Sequence, residues 1–227
     1  MKSAVQAMSR YLGWAFGLWL GAIGGAAELR VATFVCDVTP PLGHPLCGGW
    51  IQPLTSVDDS LLAKGVVLED GDDRYVICAV DWCLLQTGAY DTFRRKLARG
   101  AGVPEGRVTV HTVHQHNAPI ADTEAERMLR LTEQAPRHLE LEFLEAVTDR
   151  LATAVSEACQ RSMPFTHVGR GRARVERFAS NRRVRVSDGT IQVRYSATRD
   201  PALRAAAEGL IDPWLRTVTL YDGVEPR

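Results

Sequence analysis

The sequence of 227 residues carries no excess of charge of either sign, because 27 Lys and Arg residues are matched by 27 Asp and Glu residues. The composition therefore does not indicate a nucleic-acid partner or an acidic surface. Internal repeats, low-complexity tracts and linker-like stretches are also absent from the sequence. These absences argue against repeat architectures and predict one ordinary domain of about 200 residues.

Cysteine is scarce, and its positions follow no metal-binding motif. The chain has five cysteines: Cys36, Cys47, Cys78, Cys83 and Cys159. Their odd number and irregular spacing leave two alternatives open, either one or two disulfides or a set of buried free thiols. Four of them could in principle supply sulfur to a metal, although nothing in their spacing indicates that they do.

Long apolar runs are missing except near the N-terminus, at residues 11–23. This run contains glycines and is shorter than the roughly 20 apolar residues that a membrane span prefers. Lys2 and Arg10 precede the run and small residues follow it at positions 24–27, which is the order of a secretory signal peptide. The alternative is an uncleaved anchor. We therefore predict a signal peptide over residues 1–27, a domain over residues 28–227, and a secreted or periplasmic protein.

Apolar periodicity and turn residues predict a chain of alternating strands and helices. The predicted strands are residues 30–36, 64–69, 74–80, 107–114, 166–178, 190–195 and 215–221. The predicted helices are residues 87–99, 139–161 and 202–208, and residues 122–134 form a surface loop or a short helix. The fold class is α/β, with mixed β-sheets flanked by helices. Residues 74–81 and 107–114 should lie in one sheet as the two strands of a βαβ unit.

The segment R-V-T-V-H-T-V-H-Q-H-N-A-P at residues 107–119 is the main candidate for a functional site. In an extended strand His114 and His116 face the same way, whereas His111 is out of phase. Neutral imidazole binds zinc and, with a pKa of about 6.5, also transfers protons at neutral pH. This pattern favours a hydrolytic metal site at a strand end, and the alternative is an exposed polar loop.

Two further features have alternative interpretations. Asp81 follows an apolar strand, so it could hydrogen-bond to a residue of the metal site or serve as a turn or capping residue. Arg170, Arg172 and Arg174 lie on one face of the strand at residues 166–178. Only one aromatic residue, Phe178, is near enough to stack a base, so an exposed edge strand is favoured over a nucleic-acid site.

Several segments, taken in order, resemble the N-terminal part of the catalytic domain of the neutral/alkaline non-lysosomal ceramidase family. The matching segments are residues 37–43 (D-V-T-P-P-L-G), 58–71, 76–81, 113–119 (V-H-Q-H-N-A-P) and the pair Asn181-Arg182. The members of this family are secreted zinc amidases. The resemblance implies an exported zinc-dependent hydrolase that cleaves the N-acyl amide bond of a lipid-like substrate, with contact to a membrane surface and no nucleic-acid partner.

The resemblance also implies roles for three residues. His114 is a zinc ligand, His116 contacts the substrate and the reacting centre, and Arg182 holds the substrate carbonyl or the fatty-acid carboxylate. These roles suit the residue types, because zinc polarises a carbonyl or a water and a guanidinium offers donors to a developing oxyanion.

The chain departs from the family pattern in two ways. Asn117-Ala118-Pro119 stands where the family has Ser-Gly-Pro, so the contacts to substrate differ. The family takes its remaining zinc ligands and its serine nucleophile from sequence further on, so only His114 is carried over as a ligand. We therefore expect a shortened member that is weakly active or inactive toward ceramide. The alternatives are a non-catalytic binding or scaffold protein that retains the fold, and a hydrolase of another amide or ester.

We predict that the exported protein loses its first 26 or 27 residues, because the charged, apolar and small-residue regions occur in signal order. N-terminal sequencing of the protein from a Gram-negative host measures this. A membrane-bound protein that still begins at Met1 would show an anchor instead.

Overall fold

The computed structural model describes residues 28–227, so the predicted signal peptide lies outside the described residues. The strands are β1 (Leu29–Asp37), β2 (Leu62–Asp70), β3 (Asp73–Val80), β4 (Leu84–Leu85), β5 (Val108–Thr112), β6 (Ile120–Ala121), β7 (Met163–Pro164), β8 (His167–Arg174), β9 (Arg183–Arg185), β10 (Ile191–Val193), β11 (Trp214–Asp222) and β12 (Glu225–Pro226). The α-helices are α1 (Thr87–Ala101), α2 (Thr123–Leu129), α3 (Leu141–Cys159) and α4 (Pro201–Ala205). None of the helices in this part of the chain has the length and apolar character needed to cross a membrane.

The largest sheet has five strands in the order β5-β3-β2-β1-β7. Strands β2 and β3 form the predicted hairpin, which closes at the pair Asp70 and Asp73. Gly71 in this turn has a φ of 59°, a backbone conformation that glycine adopts without steric cost. The turn residues between two apolar runs therefore predicted this hairpin correctly.

Strands β3 and β5 are parallel neighbours, in register from Val76 opposite Val108 to Val80 opposite Thr112. A parallel pair needs a crossover connection, and α1 lies between the two strands in the chain. The predicted βαβ unit is confirmed. Its consequence for function is that the carboxyl ends of β3 and β5 meet at the same edge of the sheet.

Helices α1 and α3 cover one face of this sheet. Phe93 and Leu97 of α1 and Val147 and Leu151 of α3 are fully buried in the same core cluster as the inward-facing residues of β1, β2, β3 and β5. The two helices approach closely at Gly100, because a Cβ there would overlap the carbonyl oxygen of Ala152. On the opposite face of the sheet Val35, Tyr75 and Ile77 are exposed.

The remaining strands form small sheets. Strands β12, β11 and β8 make a three-stranded sheet, while β9 pairs with β10 and β4 with β6. In the three-stranded sheet β8 is an edge strand, as the sequence predicted. On this strand the Arg172 guanidinium lies 4.8 Å from the ring centroid of Trp214 on β11. The architecture is a mixed α/β fold with several sheets flanked by helices, as expected from the sequence.

A buried carboxylate joins α2 to the start of α3. Glu126 is completely buried and accepts hydrogen bonds from Arg130 Nε at 2.8 Å, from the backbone N–H of His138 at 2.8 Å and from that of Leu139 at 3.1 Å. Burial alone raises the pKa of Glu126, but these hydrogen bonds outweigh it and lower the pKa below its usual value. The charged carboxylate therefore stabilises the turn that leads into α3.

We predict that Glu126→Gln lowers the free energy of unfolding by about 2 kcal/mol at pH 7, because an amide cannot satisfy a guanidinium and two N–H donors. A carboxylate with a lowered folded-state pKa stabilises the fold above its ordinary pKa of 4.5, and this contribution is lost as the pH falls through the folded-state pKa. The gap between wild type and variant should therefore narrow below pH 4.5. Denaturant unfolding at several pH values measures this.

The control for this change is Glu124→Gln, which alters an exposed carboxylate on the same helix that pairs with Arg127 at 3.1 Å. Its effect should be below about 1 kcal/mol, as for other surface pairs. Equal effects of the two substitutions would contradict a structural role for the buried carboxylate.

Candidate metal centre

The histidine loop is residues 113–119, which leave the end of β5 and pass beside the end of β3. Its first residues stay hydrogen-bonded to the neighbouring chain, with the Val113 N–H donating to Val80 O at 3.1 Å and the His114 N–H to Trp82 O at 3.2 Å. Trp82 is itself fixed, because it is fully buried and its Nε1 donates to Val38 O at 2.9 Å. The loop therefore starts from a rigid point at the carboxyl edge of the sheet.

Gln115 holds the middle of the loop in place. Its Nε2 donates to Asp81 O at 2.9 Å and its Oε1 accepts from the Asn117 N–H at 2.8 Å. Further along, Ala118 O accepts from the Cys47 N–H at 2.8 Å. The loop is thus tied to two other segments of the chain.

Three potential metal ligands meet beside this loop. One ligand atom from each of Cys83, His114 and His116 can be chosen so that all three lie within 4.8 Å of one another. The two imidazole rings have centroids 5.1 Å apart and are nearly perpendicular, at 86°. Cys83 is buried and both histidines are exposed, so the group is open to solvent on the histidine side.

The tautomer of His114 follows from its hydrogen bond. Its Nδ1 lies 2.8 Å from the backbone carbonyl oxygen of Cys83, which can only accept, so Nδ1 carries the proton in this contact. The Nε2 atom then has a free lone pair. A metal-binding histidine commonly uses one ring nitrogen for the metal and donates from the other to a carbonyl in this way.

The histidine pair is not part of an extended strand, contrary to the prediction. Strand β5 ends at Thr112, and His114 has a φ of 63°, in the left-handed region. A turn, rather than the alternation of an extended strand, brings the rings of His114 and His116 together. His111 lies exposed on β5, outside the donor group, in agreement with its predicted phase.

The cysteines are free thiols, since none of the five forms a disulfide. Burial, and after it the neighbouring thiol of Cys47, raises the pKa of Cys83 to about 11. The sequence analysis did not assign Cys83 to the site, because Cys83 follows the end of β3 whereas the histidines follow the end of β5. The βαβ prediction contained the missing signal, since residues just after adjacent parallel strands lie close together.

The donor set suits zinc. Thiolate sulfur and imidazole nitrogen are preferred zinc ligands, and catalytic zinc sites have about three protein ligands and one open position. A coordinated thiol loses its proton outright, so the raised pKa of the metal-free Cys83 is compatible with this role. We conclude that the three side chains are a candidate zinc site.

Asp81 has a capping role. Its Oδ2 accepts from the Leu62 N–H at 2.9 Å, and its backbone N–H donates to Leu62 O at 2.9 Å. Among residues 28–227, its hydrogen bond to the histidine loop runs through its backbone carbonyl, which accepts from Gln115 Nε2. Of the two interpretations of this residue, the turn or cap is therefore the one that the structure shows.

A cleft of about 710 Å³ lies beside the loop. Its lining residues include Asp81, Gln115 and Asn117, which lie in or next to the histidine loop, together with apolar residues such as Leu54 and Leu61. The mixture of apolar and polar walls suits an amphiphilic ligand.

Arg182 is not among the residues that line this cleft. It lines a second depression of about 700 Å³ together with Arg177 and Arg194. Within residues 28–227 none of the residues that line this depression belongs to the histidine loop, and Arg182 makes no hydrogen bond with either histidine. Its role at the candidate site stays a prediction.

Comparison with known proteins found solved structures whose fold is similar to that of this chain. No family model matches the chain, and no curated protein matches it. The crystal structure of neutral ceramidase from Pseudomonas aeruginosa superposes with a TM-score of 0.63 at 16% identity, over 89% of this chain and 31% of that chain. The structure of a ceramidase complexed with C2 superposes with a TM-score of 0.60 at 17% identity, over 87% of this chain and 29% of that chain.

The chain therefore has a ceramidase-like fold and spans less than a third of the length of these two proteins. At such low identities the likeness concerns the fold.

We predict that Gln115→Ala lowers the free energy of unfolding by about 1–2 kcal/mol, because it removes two hydrogen bonds that hold the histidine loop. Thermal or denaturant unfolding measures this. Gln86→Ala is the matched control, since the Gln86 side chain is exposed and makes no capping hydrogen bond. If the free energy of unfolding falls as much in the control as in Gln115→Ala, the hydrogen bonds of Gln115 do not stabilise the loop specifically.

Proposed function

We propose that this protein is an exported zinc-dependent hydrolase that cleaves an N-acyl amide bond in a lipid-like substrate. The observation that carries the proposal is the donor group of Cys83, His114 and His116 at the carboxyl edge of a ceramidase-like fold, beside a cleft. The proposed export rests on the signal-like pattern of residues 1–27.

The residues around the site have distinct roles in this proposal. His114 binds the metal through the ring nitrogen that its hydrogen bond to Cys83 O leaves free. A zinc ion held there would supply Lewis-acid polarisation of the amide carbonyl and an activated water at neutral pH. His116 lies close enough to His114 to contact the substrate carbonyl or to share the metal.

Gln115 orients both histidines, because it lies between them and is hydrogen-bonded on either side to Asp81 and Asn117. The adjoining cleft would take the lipid-like part of the substrate, with apolar side chains against its chain and polar ones near the amide. The assignment of Arg182 to the substrate carbonyl or carboxylate rests on the family resemblance alone.

We predict zinc-dependent turnover of a fluorescent N-acyl amide lipid such as a labelled ceramide. Turnover should fall to background in His114→Ala, because this change removes a ligand of the metal. Hydrolysis and zinc content of the purified protein are measured together. If Arg182 binds substrate, Arg182→Ala should raise KM while zinc content stays unchanged.

The matched control is His111→Ala, which removes an exposed histidine of the adjoining strand β5 that is not part of the donor group. It should keep both zinc and turnover. Lipid binding in the cleft without hydrolysis, in wild type and variants alike, would reject the enzyme and support the alternative of a non-catalytic binding protein.

A further inference from the structure

We propose that Cys83 is a ligand of the same metal and that His116 is also a ligand, so that one sulfur and two nitrogens from this chain form a complete three-ligand site. This inference deepens the proposed function and rests on it for the identity of the metal. It differs from the family resemblance, which assigns His116 to substrate and gives no role to a cysteine.

The first support is distance. In a tetrahedral zinc site with bonds of about 2.0–2.3 Å, neighbouring ligand atoms are about 3.5 Å apart. The Cys83 sulfur and one ring nitrogen from each histidine can be chosen here so that all three atoms lie within 4.8 Å of one another. Side-chain rotations that shorten these separations by about 1 Å would therefore close the site around an ion.

The second support is the difference in burial between the sulfur of Cys83 and the rings of His114 and His116. Cys83 is 1% exposed, packs with Cys47 and Ala118, and donates its backbone N–H to Pro119 O at 3.0 Å. The histidines are exposed, and among residues 28–227 the His116 ring has no hydrogen-bond partner. The sulfur is held in place, and the two imidazoles can move toward an ion beside it.

The third support is the single polar contact of the His114 ring with the Cys83 backbone. The bond from Nδ1 to Cys83 O holds the ring next to the cysteine, with Sγ 3.8 Å from Nδ1. The residue that supplies the sulfur therefore also orients one of the nitrogen ligands. Two of the three ligands are positioned together by one residue.

The chemistry of the set narrows the choice of metal. A thiolate with two imidazoles favours zinc, or cobalt as its substitute, over magnesium and calcium, which prefer oxygen ligands. Binding breaks the S–H bond of Cys83, forms the metal–sulfur bond and releases the proton to solvent. The exposed histidine side leaves a fourth position for water or substrate.

The test is titration of the metal-free, full-length chain with Zn²⁺ and Co²⁺. We expect one equivalent of metal and, with Co²⁺, a near-ultraviolet charge-transfer band that only a thiolate ligand produces. Cys83→Ser should abolish this band. It should also weaken zinc binding by more than about 100-fold, since loss of a residue that only hydrogen-bonds to a ligand costs about 10–100-fold. His116→Ala should keep the band and weaken binding to a similar extent.

The control is Cys47→Ser, because Cys47 is a buried thiol in the same small cluster but is not part of the donor group. It should keep the band and the affinity, as should His111→Ala. Absence of the band in the wild-type protein overturns the proposal whether or not the variants fold. Loss of the band in Cys47→Ser but not in Cys83→Ser, or unchanged affinity in His116→Ala, would also overturn it.

The outcome separates this inference from the proposed function. A thiolate band with no hydrolysis of any N-acyl amide would leave the metal site standing and reject the enzyme. Hydrolysis that needs zinc and His114 but shows no thiolate band would leave the enzyme standing and reject the cysteine ligand.

Discussion

The parallel pairing of β3 with β5 is the constraint on which the rest of the site depends. It places the carboxyl ends of two strands side by side, so the turn with Cys83 and the loop with His114 and His116 share one edge of the sheet. The pairing requires the crossover helix α1, and α1 packs against α3 where Gly100 allows close approach. The helical layer thus determines where Cys83 and the two histidines can meet.

Hydrogen bonds from the backbone and from the Gln115 side chain hold the histidine loop in its conformation. The N–H groups of Val113 and His114 donate to the carbonyls of Val80, at the end of β3, and of Trp82. The Gln115 side chain bridges Asp81 and Asn117. The imidazoles themselves remain exposed. The loop therefore combines a hydrogen-bonded backbone with two exposed imidazole side chains.

Much of the fold could be predicted from the pattern of residues. The hairpin at Gly71, the βαβ unit and the amphipathic helix α3 all follow from period, turn residues and length, because local sequence determines local backbone preference. The proximity of His114 and His116 was also expected, although the reason was wrong. The left-handed conformation at His114 replaces the strand alternation, and no pattern in the sequence indicates it.

The sequence by itself determined the order of the longer strands and helices and identified the histidine segment, because period, turn residues and residue chemistry are local properties. It did not indicate the short strands β4, β6, β7, β9 and β12. Only the tertiary structure decided that Cys83 joins the histidines, that Asp81 serves as a cap, and that Arg182 lies in a separate depression. Each of these facts depends on contacts between segments far apart in the chain. Such contacts arise from sheet register and helix packing, which spacing along the sequence does not encode.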